Sequence, residues 1–243
     1  MFESIPNTIL SLVYPQQCTL CSRLVDSMDD GDVCSWCWEQ TRFFTGLETL
    51  CARCGAFLSD AEPLFETYCH RCDDAFFDHA RSLGPYRGAI AASVISLKHK
   101  PTIAGRLKKA LVSVYFDNYP DTVSLIIPVP LSAKRRKERG FNQAAVIARI
   151  IADKAGISFD ENSLMRTVHT PMHRAGMDRK ARESTVKGVF SVKRRNLIDG
   201  QRILLVDDVF TSGATVSACS KVLKKNGAAT VNVLTIGRAV ITQ

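Results

Sequence analysis

Eight cysteines fall in four C-x-x-C pairs: Cys18/Cys21, Cys34/Cys37, Cys51/Cys54 and Cys69/Cys72. Two residues between thiols let one turn of backbone aim both sulfurs at a single metal ion. Two such turns complete a tetrahedral four-thiolate site for Zn2+. The pairs are separated by twelve, thirteen and fourteen residues. That spacing leaves two arrangements open: sequential pairing, which makes two zinc ribbons, or interleaved pairing of first with third and second with fourth. Disulfides would need an oxidising compartment, and Met1–Val13 has neither the basic start nor the small-residue cleavage site of an export signal. A dithiol redox centre needs one C-x-x-C opening a helix, not four in series. Regular pairs also favour zinc over an iron–sulfur cluster. The expectation is two structural Zn2+ sites, with Trp36 and Trp38 packed over the first and His70 and His79 not acting as ligands.

A second stretch carries different chemistry. In Arg202–Thr215, RILLVDDVFTSGAT, an apolar run meets two adjacent carboxylates, then small and hydroxyl residues. Asp207 and Asp208 suit the paired hydroxyls of a ribose. Thr211, Ser212, Gly213, Ala214 and Thr215 can wrap a 5′-phosphate with backbone N–H groups and hydroxyls at the positive end of a following helix. Gly213 lets the backbone come close. There is no G-x-x-x-x-G-K-[ST] nucleotide loop in the chain.

These residues need a scaffold, and the pattern supplies one. Ser124–Val129, Ile203–Val206 and Val231–Ile236 are apolar runs of strand length. Helical patterns run from Phe141 to Ala152, with Asn142 as N-cap, and from Ser212 to Asn226, with Gly227 after the end. Strand–helix–strand alternation predicts an α/β fold: a parallel sheet with flanking helices, its ligand at the carboxyl edge. Cys219 reads as a core residue of the last helix. Lys134, Arg135, Arg136, Lys137 and Arg139 read as a basic loop beside this edge, able to meet pyrophosphate or nucleic-acid phosphates. Five cations exceed what one pyrophosphate requires, so a dual use is expected.

Charge divides the chain in the same place. Residues 1–80 hold four arginines, no lysine and thirteen carboxylates, for −9; residues 81–243 carry +17. Eight thiolates and two Zn2+ would take the first part to −13. The acidic module, residues 1–80, is poorly suited to gripping DNA and reads as a scaffold or docking surface. The basic domain, residues 81–243, favours polyanions. The chain has no uninterrupted apolar run of membrane-spanning length, and the expected location is cytoplasmic.

RILLVDDVFTSGAT resembles the 5-phosphoribosyl-1-pyrophosphate (PRPP) motif of type I phosphoribosyltransferases, a hydrophobic strand followed by D-D-x-x-T-[ST]-G-x-T. Four C-x-x-C pairs precede it. Tyr86 and Lys98 lie in YRGAIAASVISLKHK, and PVPL at Pro128–Leu131 leads to RGFNQ at Arg139–Gln143. On these motifs the chain is identified as a member of the ComF (competence protein F) family, called GntX in many gammaproteobacteria. The resemblance covers nearly the whole sequence. It implies a double zinc ribbon ahead of a type I phosphoribosyltransferase-like domain, with PRPP and Mg2+ at Asp207 and Asp208. It also implies a role in natural transformation, handling incoming single-stranded DNA with a ComF-type helicase as partner. Two classes of function follow: an active transferase on a base, nucleotide or nucleic acid, or a PRPP- and DNA-binding accessory protein. No catalytic residue is singled out. The sequence departs from the family pattern at His173, where a glutamine follows Thr170 by three, and at Thr185, in place of asparagine after Arg182. Arg166–Arg182, polar and basic, suits a hood over the site.

Overall fold

The computed structural model describes residues 15–167 and 188–239. The cysteine-rich part contains a short helix α1 (Ser35–Glu39) and an antiparallel pair β1 (Thr49–Leu50) and β2 (Phe57–Ser59). It leads into a five-stranded sheet built from β3 (Ala80–Pro85), β4 (Leu125–Pro128), β5 (Ser158–Phe159), β8 (Arg202–Phe210) and β9 (Thr230–Arg238). The strand order is β3-β9-β8-β4-β5, and every pairing is parallel. Helices α2 (Gly88–Ser96), α3 (Gly105–Asn118), α4 (Ala133–Arg139), α5 (Gln143–Ala155) and α6 (Ala214–Lys225) lie between strands. A separate antiparallel pair, β6 (Leu164–Arg166) and β7 (Phe190–Val192), precedes β8.

Parallel strands covered on both faces need apolar residues at every position, and alternation then decides which core each enters. In β8, Leu204 and Val206 enter one core while Ile203 and Leu205 enter the other. Strand β9 repeats the division, with Leu234 and Ile236 opposite Val231 and Val233. The first core is closed by α2, α3 and α5, and the second by α6 and the β6–β7 pair. Helix α5 starts as its sequence predicts: the Asn142 side chain accepts from the Ala144 N–H at 3.2 Å. Gly227, with φ of 98°, stands just past α6, as expected.

The cysteine-rich part is divided between the two cores. Cys18, Cys34, Cys37, Val33 and Trp38 join the α2/α3/α5 side; Cys51, Cys54, Cys72 and Phe77 join the α6 side. The two ribbons therefore straddle the sheet edge at β3. The segment between them covers that edge: the Phe44 N–H donates to the Leu83 carbonyl at 2.7 Å. This shields an edge otherwise open to pairing with another chain. Polar ties hold each ribbon in place. Arg106 meets buried Asp30 at 2.6 Å on one face. On the other, Asp78 accepts from Lys224 at 2.6 Å and from the Val231 N–H at 2.7 Å.

Candidate functional site

The cysteine pairing left open by spacing is sequential. Cys18, Cys21, Cys34 and Cys37 form one cluster and Cys51, Cys54, Cys69 and Cys72 the other, with all four sulfurs of each within 4.8 Å of one another. Zn–S bonds of about 2.3 Å at tetrahedral angles put sulfurs roughly 3.8 Å apart. Contacts of 3.8 Å for Cys18–Cys37, 3.6 Å for Cys21–Cys34, and 3.5 and 3.7 Å in the second cluster meet that requirement. They are far too long for disulfides. Each C-x-x-C places both thiols on one tight turn, as where the Ser22 N–H donates to the Cys18 carbonyl at 2.9 Å. Trp38 packs in the first core and donates Nε1–H to the Asp30 carbonyl at 2.9 Å, whereas Trp36 is exposed beneath the Arg23 guanidinium. Of the two tryptophans, Trp38 is buried in the core that the cysteines of the first cluster join, and Trp36 is not. Neither histidine belongs to a cluster.

The second candidate site lies at the carboxyl edge of the sheet. The strand order reverses between β8 and β4, the kind of switch point at which open parallel sheets bind their ligands. Asp207 and Asp208 stand within β8 rather than after it, since the strand continues to Phe210. Asp207 is opposite Thr235 on β9. Burial, with the adjacent Asp208 carboxylate second, pushes the Asp207 carboxyl well above its ordinary range, although its Oδ1 accepts the Asp208 N–H at 2.9 Å. Two carboxylates so placed make a strong acceptor pair for hydroxyls or for a cation.

Thr211–Gly213 then turns the chain into α6. Gly213 has φ of 79°, and a Cβ there would lie 2.7 Å from the Phe210 ring. Another residue would be strained and would clash, so glycine is required. Helix α6 has no side-chain N-cap. Its first N–H, of Ala214, donates to Ser212 Oγ at 3.4 Å, and the N–H groups of this first turn lie beside Thr211, Ser212 and Thr215.

The predicted basic loop is instead helix α4. Ser132 caps it, accepting from the Arg135 N–H at 3.4 Å, and Gly140 ends it in the left-handed conformation. Between them AKRRKER consists of strong helix formers. The helix sorts its five cations. Arg135 and Arg139, four apart, are half-buried, while Lys134, Arg136 and Lys137 are exposed. Arg139 donates to Gln143 Oε1 at 2.9 Å, and Arg136 pairs with Glu161 at 3.1 Å.

Two residues given no role by the sequence reading join the site. Burial, then the charge of Arg135, lowers the Arg166 pKa, and Cys219 and then Asp207 oppose this. Its guanidinium also lies over the Phe190 ring. Burial and then Asp208 raise the Tyr86 hydroxyl pKa. Their sequence positions, about 40 residues from the motif for Arg166 and about 120 for Tyr86, gave no local sign of this coupling. Thr170, His173, Arg182 and Thr185 lie outside the described residues, as does the hood from residue 168 onward. A cavity of about 530 Å3 opens elsewhere, lined by Arg149, Phe159, Glu161 and Arg194 near β5, and includes none of the motif residues.

Comparison with known proteins agrees with this layout. Residues 9–73 match the model of the double zinc ribbon domain, and residues 137–240 that of the phosphoribosyl transferase domain. Competence protein ComFC of Bacillus subtilis is 26% identical over 86% of this chain and 85% of its own length. Competence protein F of Haemophilus influenzae is 28% identical over 85% and 90%. The chain is similar to these competence proteins across both its ribbon and its transferase regions. Another relative, the DNA utilization protein YhgH of Salmonella typhimurium, is 29% identical over 91% of this chain and 96% of its own. Among solved structures, the allosteric regulatory enzyme of purine biosynthesis aligns with 58% of this chain at 20% identity and a TM-score of 0.38; the match covers 30% of that chain. APRTase from Giardia lamblia complexed with 9-deazaadenine aligns with 55% of this chain and 80% of its own, at 16% identity and a TM-score of 0.36. Among the described residues no helix is long and apolar enough to cross a membrane.

Proposed function

We propose that this protein binds PRPP with Mg2+ at the carboxyl edge of β8 and handles single-stranded DNA on the adjoining basic surface. The observation that carries the reading is one continuous turn. Two acceptor carboxylates, Asp207 and Asp208, are followed by a helix start at which glycine is the N-cap and the Ser212 hydroxyl stands 3.4 Å from the Ala214 N–H. The carboxylates accept hydrogen bonds from the ribose hydroxyls. Backbone N–H groups of Ser212–Thr215 hold the 5′-phosphate. Half-buried Arg135, with Arg166 beside it, neutralises the pyrophosphate. Mg2+ bound with PRPP supplies further neutralisation of the diphosphate.

The DNA part rests on the +17 charge of residues 81–243, on the exposed cations of α4, and on relatives named for competence and DNA utilization. It extends to the natural-transformation role and the helicase partner that the family layout implies. Two zinc ions, one in each cysteine cluster, complete the proposed composition.

Titration calorimetry with Mg·PRPP tests the site. Wild type should bind, and the double change Asp207→Asn, Asp208→Asn should weaken binding tenfold or more, because each hydrogen bond to a charged acceptor contributes about 1.5–3 kcal/mol. Equal affinity in both proteins would remove the carboxylates from the ligand site. Pyrophosphate release, with and without single-stranded DNA, then separates a transferase from an accessory binder.

A further inference from the structure

Arg238, the last residue of β9, joins two sites that the sequence keeps far apart. Its guanidinium donates to the Cys54 carbonyl at 2.5 Å and to Cys54 Sγ at 3.3 Å. Its Cζ lies 4.2 Å from the centroid of the Phe210 ring. Phe210 is the residue against which Gly213 closes, at 2.7 Å from a Cβ built there. The same ring receives Phe77 of the second ribbon edge-on, with centroids 5.8 Å apart. The backbone locks the arrangement. Phe210 and Arg238 are opposite partners in the β8–β9 ladder, and the Tyr86 N–H donates to the Arg238 carbonyl at 2.6 Å.

A four-thiolate zinc site carries a net charge of about −2, and donors to its sulfurs from the surrounding protein orient and stabilise it. The fork of an arginine can serve a carbonyl and a thiolate together while its flat face rests on an aromatic ring. We propose that Arg238 is a positioning residue. It is the outer partner of the Cys51/Cys54/Cys69/Cys72 metal site and the prop of the turn Thr211–Gly213, so metal held in the second ribbon sets the shape of the anion loop. Among the described residues, the first ribbon, on the opposite face of the sheet, has no such line to the loop. The loop's role as a phosphate cradle rests on the reading above; the mechanical coupling does not.

The test uses the full-length protein and needs no PRPP, so its failure is distinct from a failure of that reading. Zinc content and zinc release to a chromogenic chelator are measured for wild type, Arg238→Met and Arg238→Lys. Amide hydrogen exchange is followed over residues 208–216. Losing an outer partner of a metal ligand typically weakens metal binding by about 10–100-fold. Arg238→Met should therefore release one of two zinc ions at least tenfold faster, and exchange at 211–215 should accelerate in step. Arg238→Lys, which keeps charge but not the fork, should fall between. If Arg238→Met does not fold, wild type is stripped stepwise while native mass spectrometry counts metal; loop exchange should then follow loss of zinc from the second site. Release at the wild-type rate, or loop exchange indifferent to zinc in the second site, would overturn the proposal.

Discussion

Asp207 is a residue whose charge works against the fold that holds it. Burial and the neighbouring Asp208 raise its pKa well above the ordinary carboxylate value, which is about 4. Between that value and the raised one, the folded protein keeps a proton that the unfolded chain has released. The resulting stability is complete below about pH 4 and is lost as pH rises through the native pKa. Asp207→Asn should therefore raise the melting temperature at pH 8, with about 2–4 °C for each kcal/mol regained in a chain of this size. The gain should vanish near pH 4, and PRPP affinity should drop. A melting temperature unchanged at pH 8 would mean that the carboxylate is not strained. The acidic pair and its glycine turn were readable in the sequence because they form one continuous motif. Tyr86 and Arg238 were not, because only the β3–β9–β8 pairing brings them to one edge, and Arg166 was not, because it lies on the separate β6–β7 pair.

Helix α4 shows how an element assigns work that composition cannot. Five cations in seven residues looked like one basic loop. Ser132 and Gly140 bound a helix instead, and helical spacing turns Arg135 and Arg139 inward while leaving Lys134, Arg136 and Lys137 outside. The cap and the left-handed glycine were present in the sequence; the neighbouring prolines and the density of charge hid them. The expected dual use then divides by face. Changing Lys134 and Lys137 to Ala should flatten the salt dependence of single-stranded DNA binding by about 0.7 log–log units per lost contact, and should leave PRPP binding intact. Changing Arg135 to Ala should weaken PRPP binding and leave the salt slope nearly unchanged. Fluorescence anisotropy across a salt series, alongside calorimetry, distinguishes the faces; equal effects from both changes would show that α4 works as one undivided patch.

The molecule as a whole is held by cores that both ribbons help to fill. The strand periods and the α/β class were legible, and so was the metal chemistry of the cysteines. The saddle of two ribbons across β3 was not, since C-x-x-C spacing describes each metal site and says nothing about which face of a sheet it covers. Fully buried Phe77 is worth about 3–5 kcal/mol against Ala, and a ribbon released from its metal exposes such residues on both sides. Stripping zinc should consequently lower the stability of the sheet as well as the ribbons. Both tryptophans, Trp36 and Trp38, lie in the first ribbon, so fluorescence reports the ribbon while far-ultraviolet circular dichroism reports mainly the sheet. The two unfolding curves should coincide and shift together on chelation. Two separated transitions would show a ribbon that melts by itself.

Among the described residues strand β3 has a single ladder partner, β9, and their bonded side chains Ser82 and Thr235 are 153 residues apart. Long-range parallel pairing is slow because the chain between must be brought to order first. On the ribosome the cysteine ribbons emerge and can collect their metal early, yet the edge they straddle gains its ladder only after β9 has been made. During synthesis the ribbon faces that will close the two cores stay open, and this nascent state is the one most exposed to aggregation. Zinc supply during translation, more than zinc affinity of the finished protein, should then govern the yield of soluble chain.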